Sequence, residues 1–189
     1  MITKSMKPLI FVILALSICL FIMQLFQGEL VFYRDLISQG EWWRLLSGNF
    51  VHSNYPHLFL NLAGLWILGF LFIDHFKVKT FIFSIVFISF FVGLGLYYFD
   101  LDLQKYYGFS GILYGLFIVG GISAVIQKDY FNGILIIVFI IAKLIWDLIY
   151  GGSTSSEELI GIPVAVHSHL YGIIAASVIS FYIFLRNGI

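Results

Sequence analysis

Charge is the scarcest feature of this sequence. Asp, Glu, Lys and Arg together make up 11% of 189 residues, where a soluble domain carries roughly 25%. Such a chain cannot cover a water-facing surface with charge. Ten cations balance ten acids, for a net charge of zero, so there is no basic face to attract nucleic acid. The only cysteine, Cys19, lies inside the first apolar run, which excludes an intramolecular disulfide. No small-x-small cleavage site follows that run, so it is expected to stay as a span rather than leave as a signal peptide. No internal repeat or second domain interrupts the pattern, and residues 1–189 read as one domain.

Apolar residues take the place of charge. They make up 61% of the chain, and the mean hydropathy is +1.02. A membrane span needs about 20 apolar residues, and the chain has room for six. The spans are expected at about 8–27, 56–73, 80–99, 110–126, 130–150 and 164–185. The expected fold class is therefore an all-α membrane protein, a six-helix bundle in the lipid bilayer. Residues 28–55 are amphipathic and aromatic, with Phe32, Tyr33, Trp42 and Trp43 beside Glu29, Arg34, Asp35, Glu41 and Arg44. That mixture suits a segment lying in the membrane interface. Pro56 falls in the first turn of its span, where proline is tolerated. Residues 151–163 read as a Gly/Ser/Thr-rich loop.

Six spans place both termini on one side. That side holds Lys4, Lys7, Lys77, Lys79, Lys128 and Arg186, six cations, and the other holds Arg34, Arg44 and Lys105, three. Lys143 stays within the fifth span. The bias puts both termini in the cytoplasm. It puts Ser110, residues 28–55 and the start of the sixth span on the outer side.

Polar residues are few enough at membrane depth that each can be weighed. Gly108-Phe109-Ser110-Gly111-Ile112-Leu113-Tyr114-Gly115 sets a hydroxyl where water ends and hydrocarbon begins, between glycines that let another chain approach closely. Ser110 is either a helix N-cap or a nucleophile. His57 and Asn61, four apart, share a helix face in an apolar run. His169 is followed by Gly172, Ala176 and Ser180 on its own face. Gly111 and Gly115 offer a matching small face below Ser110. Spans four and six can then cross closely and bring Ser110 to His169 as nucleophile and base. His52 and His167 read as capping or headgroup-level residues. Lys143 and Asp147, at i and i+4, read as a local ion pair or as a contact for a polar substrate segment.

The ordered set Trp43-Arg44, His57-x-x-x-Asn61, Gly108-x-Ser110-Gly111-x-x-Tyr114 and His169-x-x-Gly172 resembles the rhomboid intramembrane serine proteases. The resemblance covers most of residues 42–176. It implies a Ser110–His169 dyad with no acid. It also implies an oxyanion hole from His57, Asn61 and the Ser110 backbone N–H, and Tyr114 packed on the His169 ring. Trp43, Arg44, Gly108, Gly111 and Gly172 support that site. No metal or cofactor is implied. The short length and the Lys143–Asp147 stretch are more similar to the rhombosortase branch. That similarity implies membrane-anchored protein substrates with a C-terminal Gly-Gly anchor, and a bacterial inner membrane with the site facing the periplasm. The chain departs from the resemblance at Gly48, where several bacterial rhomboids place another histidine.

Other readings of the same residues stay open. One is an inactive rhomboid-like protein that binds membrane segments. Another is a haem or metal protein using His52, His57, His167 and His169, although residues two apart on a helix diverge. A third is a six-span transporter, for which broken helix pairs and repeats are missing.

Overall fold

In lipid every backbone N–H and C=O must be satisfied internally, so long apolar runs become helices. The computed structural model describes residues 6–186, and it is mostly helical. Lys4 and the chain end after Arg186 lie outside the described residues. The first helix, α1, is Met6–Gln24. A crowded connection follows: α2 (Gln27–Leu30), β1 (Phe32–Tyr33), α3 (Arg34–Ser38), α4 (Arg44–Ser47) and a 3-10 turn at Gly48–Phe50. Then come α5 (Tyr55–Phe72), α6 (Val78–Phe99), β2 (Lys105–Tyr106), α7 (Ser110–Ile126), α8 (Tyr130–Tyr150), α9 (Thr154–Ile160) and α10 (Val166–Arg186).

Helices α5, α6, α8 and α10 are long and apolar enough to cross a membrane. The apolar stretch 8–24 and α7 are shorter. The chain is a multi-pass membrane protein. Expected and observed bounds coincide at 110–126 and 130–150. Elsewhere α1 stops at Gln24 because the chain turns at Leu25 and Phe26. Residues 151–163 are not simply a loop. Ser153 caps α9 by accepting from the Ser156 N–H, and Gly161 ends it in the left-handed conformation, the turn that glycine makes at least cost.

Helix α7 is the axis of the bundle, packed by α5, α6, α8 and α10. Its side chains Ile112, Leu116 and Val119 are fully buried, with Leu65, Leu68, Phe72, Ile88, Val92 and Ala176 around them. By contrast, α8 turns most of its apolar side chains outward, Phe131, Val138, Phe139 and Ile149 among them. That composition suits contact with acyl chains. Against lipid there is little hydrophobic drive between helices, so close backbone approach and polar contacts hold such a bundle together.

Arginines fix the connection to the bundle. Arg34 donates to the carbonyls of Leu96, Tyr97, Asp100 and Leu103 at 2.7–2.9 Å. It satisfies carbonyls at and just beyond the end of α6 and sets a cation on the negative pole of that helix. Buried Arg44 donates to the carbonyls of Gly28 and Val31 and pairs with Glu41. Exposed Trp43 donates its indole N–H to the Glu29 carbonyl.

Candidate active site

The site begins with a two-residue ladder. Phe32 pairs with Tyr106 and Tyr33 with Lys105, antiparallel, which ties the approach to α7 onto the interfacial connection. The Tyr106 hydroxyl donates to the Gly108 carbonyl at 2.7 Å. Burial pushes the Tyr106 phenol up to about 12, so it stays a neutral donor. Gly108 has φ +122°, and a Cβ there would sit 2.9 Å from the His57 ring. Both the backbone angle and the approach of His57 require glycine.

Ser110 is the first residue of α7 and does not cap it. The capping position is Phe109, and no side chain caps the helix. The Ser110 Oγ instead lies 3.0 Å from His169 Nε2. Glycine makes that distance possible. A Cβ on Gly172 would sit 2.0 Å from the Gly111 carbonyl oxygen, one on Gly111 would sit 2.8 Å from the Ser168 carbonyl oxygen, and one on Gly115 would sit 2.6 Å from the Gly172 carbonyl oxygen. Helices α7 and α10 therefore touch backbone to backbone, immediately below the two side chains. The small faces that the sequence sets on these spans are the faces that meet.

His169 is 5% exposed. Tyr114, one turn below Ser110, stacks on its ring at 4.0 Å between centroids and 6° between planes. The Tyr114 hydroxyl donates to Asp147 Oδ2 at 2.8 Å. The same oxygen lies 3.5 Å from His169 Nδ1. The sequence resemblance implies a pair without an acid, and here an acid stands behind the histidine. The ion pair of Lys143 with Asp147 expected at i,i+4 is present.

His57 and Asn61 lie across the Gly108 loop from α7. Asn54 caps α5 and accepts from the His57 backbone N–H at 2.8 Å. His57 Nδ1 is 3.1 Å from the Ser53 Oγ, and that hydroxyl donates to the Ile160 carbonyl at 2.6 Å. A hydroxyl has one proton. With it on Ile160, Ser53 accepts from Nδ1–H, and neutral His57 carries no proton on Nε2. Asn61 Nδ2, in contrast, is a buried donor without a partner, and it lies near Gly108. Such donors are rare in folded proteins and point to a functional use.

Of the other histidines weighed in the sequence, His52 adjoins this group and His167 stands apart from it. His167 is exposed and pairs with Asp100. His52 packs edge-on to His57 at 5.1 Å. Burial, and then the neighbouring His57, hold the His52 imidazole down at about 3, so it is neutral. Its backbone is tied to α1, where Gln24 bonds both its N–H and its carbonyl. No group of three or more His, Cys, Asp or Glu that could hold a metal occurs among the described residues. At Gly48, a Cβ would sit 2.6 Å from the Phe32 backbone nitrogen, which leaves no room there for a larger residue.

A cavity of about 130 Å³ opens beside Ser110, lined among others by His57, Tyr106, Ile160, Pro163 and Ser168. The fold and this site define a class: a multi-pass helical membrane protein with a small recess beside a serine at the mouth of its central helix. The rhomboid domain pattern matches residues 39–186. The chain belongs to the rhomboid family, whose members are typically intramembrane serine proteases. None of the curated proteins compared with the chain matches it.

Proposed function

We propose that this protein is an intramembrane serine endopeptidase in which Ser110 is the nucleophile and His169 the base. The observation that carries the reading is the 3.0 Å contact of Ser110 Oγ with His169 Nε2 at a cavity in an apolar bundle. Nε2 takes the hydroxyl proton as Oγ adds to the substrate carbonyl. The ring then returns that proton to the leaving amine, the C–N bond breaks, and water hydrolyses the Oγ ester. The developing oxyanion is met by the Ser110 backbone N–H, Asn61 and His57.

Asn61 is the better prepared of the two side-chain donors, because its N–H is buried and unpartnered. Neutral His57 must first gain a proton or draw the Ser53 hydroxyl away from Ile160. Asn61→Ala is expected to lower kcat by on the order of 10²–10³, and His57→Ala by less. Steady-state kinetics on a single-span reporter decide the order; a larger loss in His57→Ala would reverse the assignment.

The reading includes six crossings, with 8–24 and α7 as the short ones, and both termini in the cytoplasm of a bacterium. The site then faces the periplasm, and substrates are cut near the outer end of their helix. The particular substrates proposed are C-terminal Gly-Gly anchors of the rhombosortase type. Glycine costs a helix about 1 kcal/mol relative to alanine, so a Gly-Gly pair eases the local unwinding that exposes a carbonyl. A Gly-Gly-anchored reporter is expected to be released by the wild-type protein and retained by the Ser110→Ala form. Equal retention in both would overturn the branch assignment. Cleavage of a generic single-span substrate in the same cells would leave the protease reading standing.

A further inference from the structure

We infer that Asp147 is a positioning residue for His169, so that Ser110, His169 and Asp147 form one line through the bundle. The inference rests on the reading of Ser110 and His169 as nucleophile and base.

Asp147 is 1% exposed on α8, a helix that otherwise shows most of its side chains to the outside. A carboxylate at membrane depth is costly unless it has partners. Its two oxygens divide the work. Oδ1 takes the Lys143 ammonium. Oδ2 accepts from the Tyr114 hydroxyl and faces His169 Nδ1 at 3.5 Å. That nitrogen is buried and has no hydrogen-bond partner. The carboxylate is therefore the acceptor placed to take its proton as the contact shortens, as catalytic contacts do when substrate binds.

The chemistry follows from proton counting. Neutral imidazole has one N–H. If the proton sits on Nε2, His169 cannot accept from Ser110. An ionised carboxylate only accepts, so Oδ2 favours the proton on Nδ1 and leaves the Nε2 lone pair facing the hydroxyl. It also opposes the charge that the ring gains during attack. Asp147 acts on the ring plane as well, because it anchors the hydroxyl of the tyrosine that stacks on His169.

The competing role for Asp147 is partner to Lys143 alone. That role needs no burial, since Lys143 is itself 41% exposed. It leaves the contact with Tyr114 and the approach to Nδ1 unexplained.

The test uses the full-length protein in proteoliposomes, with a fluorophosphonate probe for Ser110 and a single-span cleavage reporter. Asp147→Asn keeps the shape and loses the charge. It is expected to lower kcat by on the order of 10²–10⁴ with little change in KM, and to slow probe labelling in proportion. Lys143→Met/Asp147→Asn removes the stranded lysine and is expected to stay as slow as the single variant. Its thermal unfolding reports whether the fold is kept, and it decides the question if the single variant misfolds. Recovery of kcat in the double variant would reduce Asp147 to a counter-ion, and a loss confined to KM would make it a substrate contact. A near-wild-type rate in Asp147→Asn would remove it from the site. Absence of Ser110 labelling in the wild type would overturn the nucleophile reading itself, a separate result from a slow but labelled Asp147→Asn.

Discussion

Ser110→Ala and His169→Ala are each expected to bring cleavage to background, while His167→Ala stays near the wild-type rate. The expected loss is on the order of 10⁴-fold or more, because a nucleophile and its base act as a unit and losing one loses most of the whole. The contrast between the two histidines is the informative part. They are two residues apart on α10 and point in different directions: His169 is buried with Nε2 on Ser110, and His167 is exposed and paired with Asp100. Reporter cleavage and Ser110 labelling on the three variants, all inserted to the same level, check it. An inactive His167→Ala beside an active His169→Ala would reassign the base.

The second large effect is expected from a single methyl group. Gly172→Ala places a Cβ 2.0 Å from the Gly111 carbonyl oxygen, a backbone atom that cannot rotate away. The α7–α10 crossing must widen. Overpacking of this kind costs about 1–3 kcal/mol in stability. Catalysis should suffer more. A displacement of about 1 Å between nucleophile and base can cost on the order of 10²-fold, and Ser110 and His169 both stand within a turn of the crossing. Ile174, half-exposed on the same helix, supplies the comparison: Ile174→Ala should be nearly silent. Kinetics and thermal unfolding of the two variants separate a displaced site from a lost fold. Full activity in Gly172→Ala would show that the crossing does not set the site.

Much of this arrangement is legible before any coordinates. Apolar runs fix where helices form, and Gly111, Gly115, Gly172 and Ala176 mark two small faces that can pack closely on each other. The i,i+4 spacing of His57 and Asn61 already places them on one side of α5. What is not legible has a common cause: its partners are backbone atoms or residues far along the chain. Arg34 reads as one more interfacial cation, yet it serves four carbonyls more than sixty residues away. Ser53 and Asn54 carry no signal of their own in the sequence, yet they fix the tautomer and the backbone of His57. The β1–β2 ladder is two residues long, too short for any alternation to reveal. Asp147 is visible as the i,i+4 partner of Lys143, but its second oxygen meets α7 and α10, and only the packing of three helices shows that.

The glycine crossing has a mechanical consequence. Helices α7 and α10 come closest at these glycines, so a rocking of one on the other pivots there. At 1.5 Å per residue, His169 stands about 4.5 Å along α10 from Gly172, and Arg186 about 21 Å. Spans tilt to match the local bilayer thickness. A rocking of about 5° then swings the far end of α10 by about 1.8 Å and His169 by about 0.4 Å. Membrane thickness can reshape the opposite end of the bundle while the serine and histidine, set on the short arm, keep their distance.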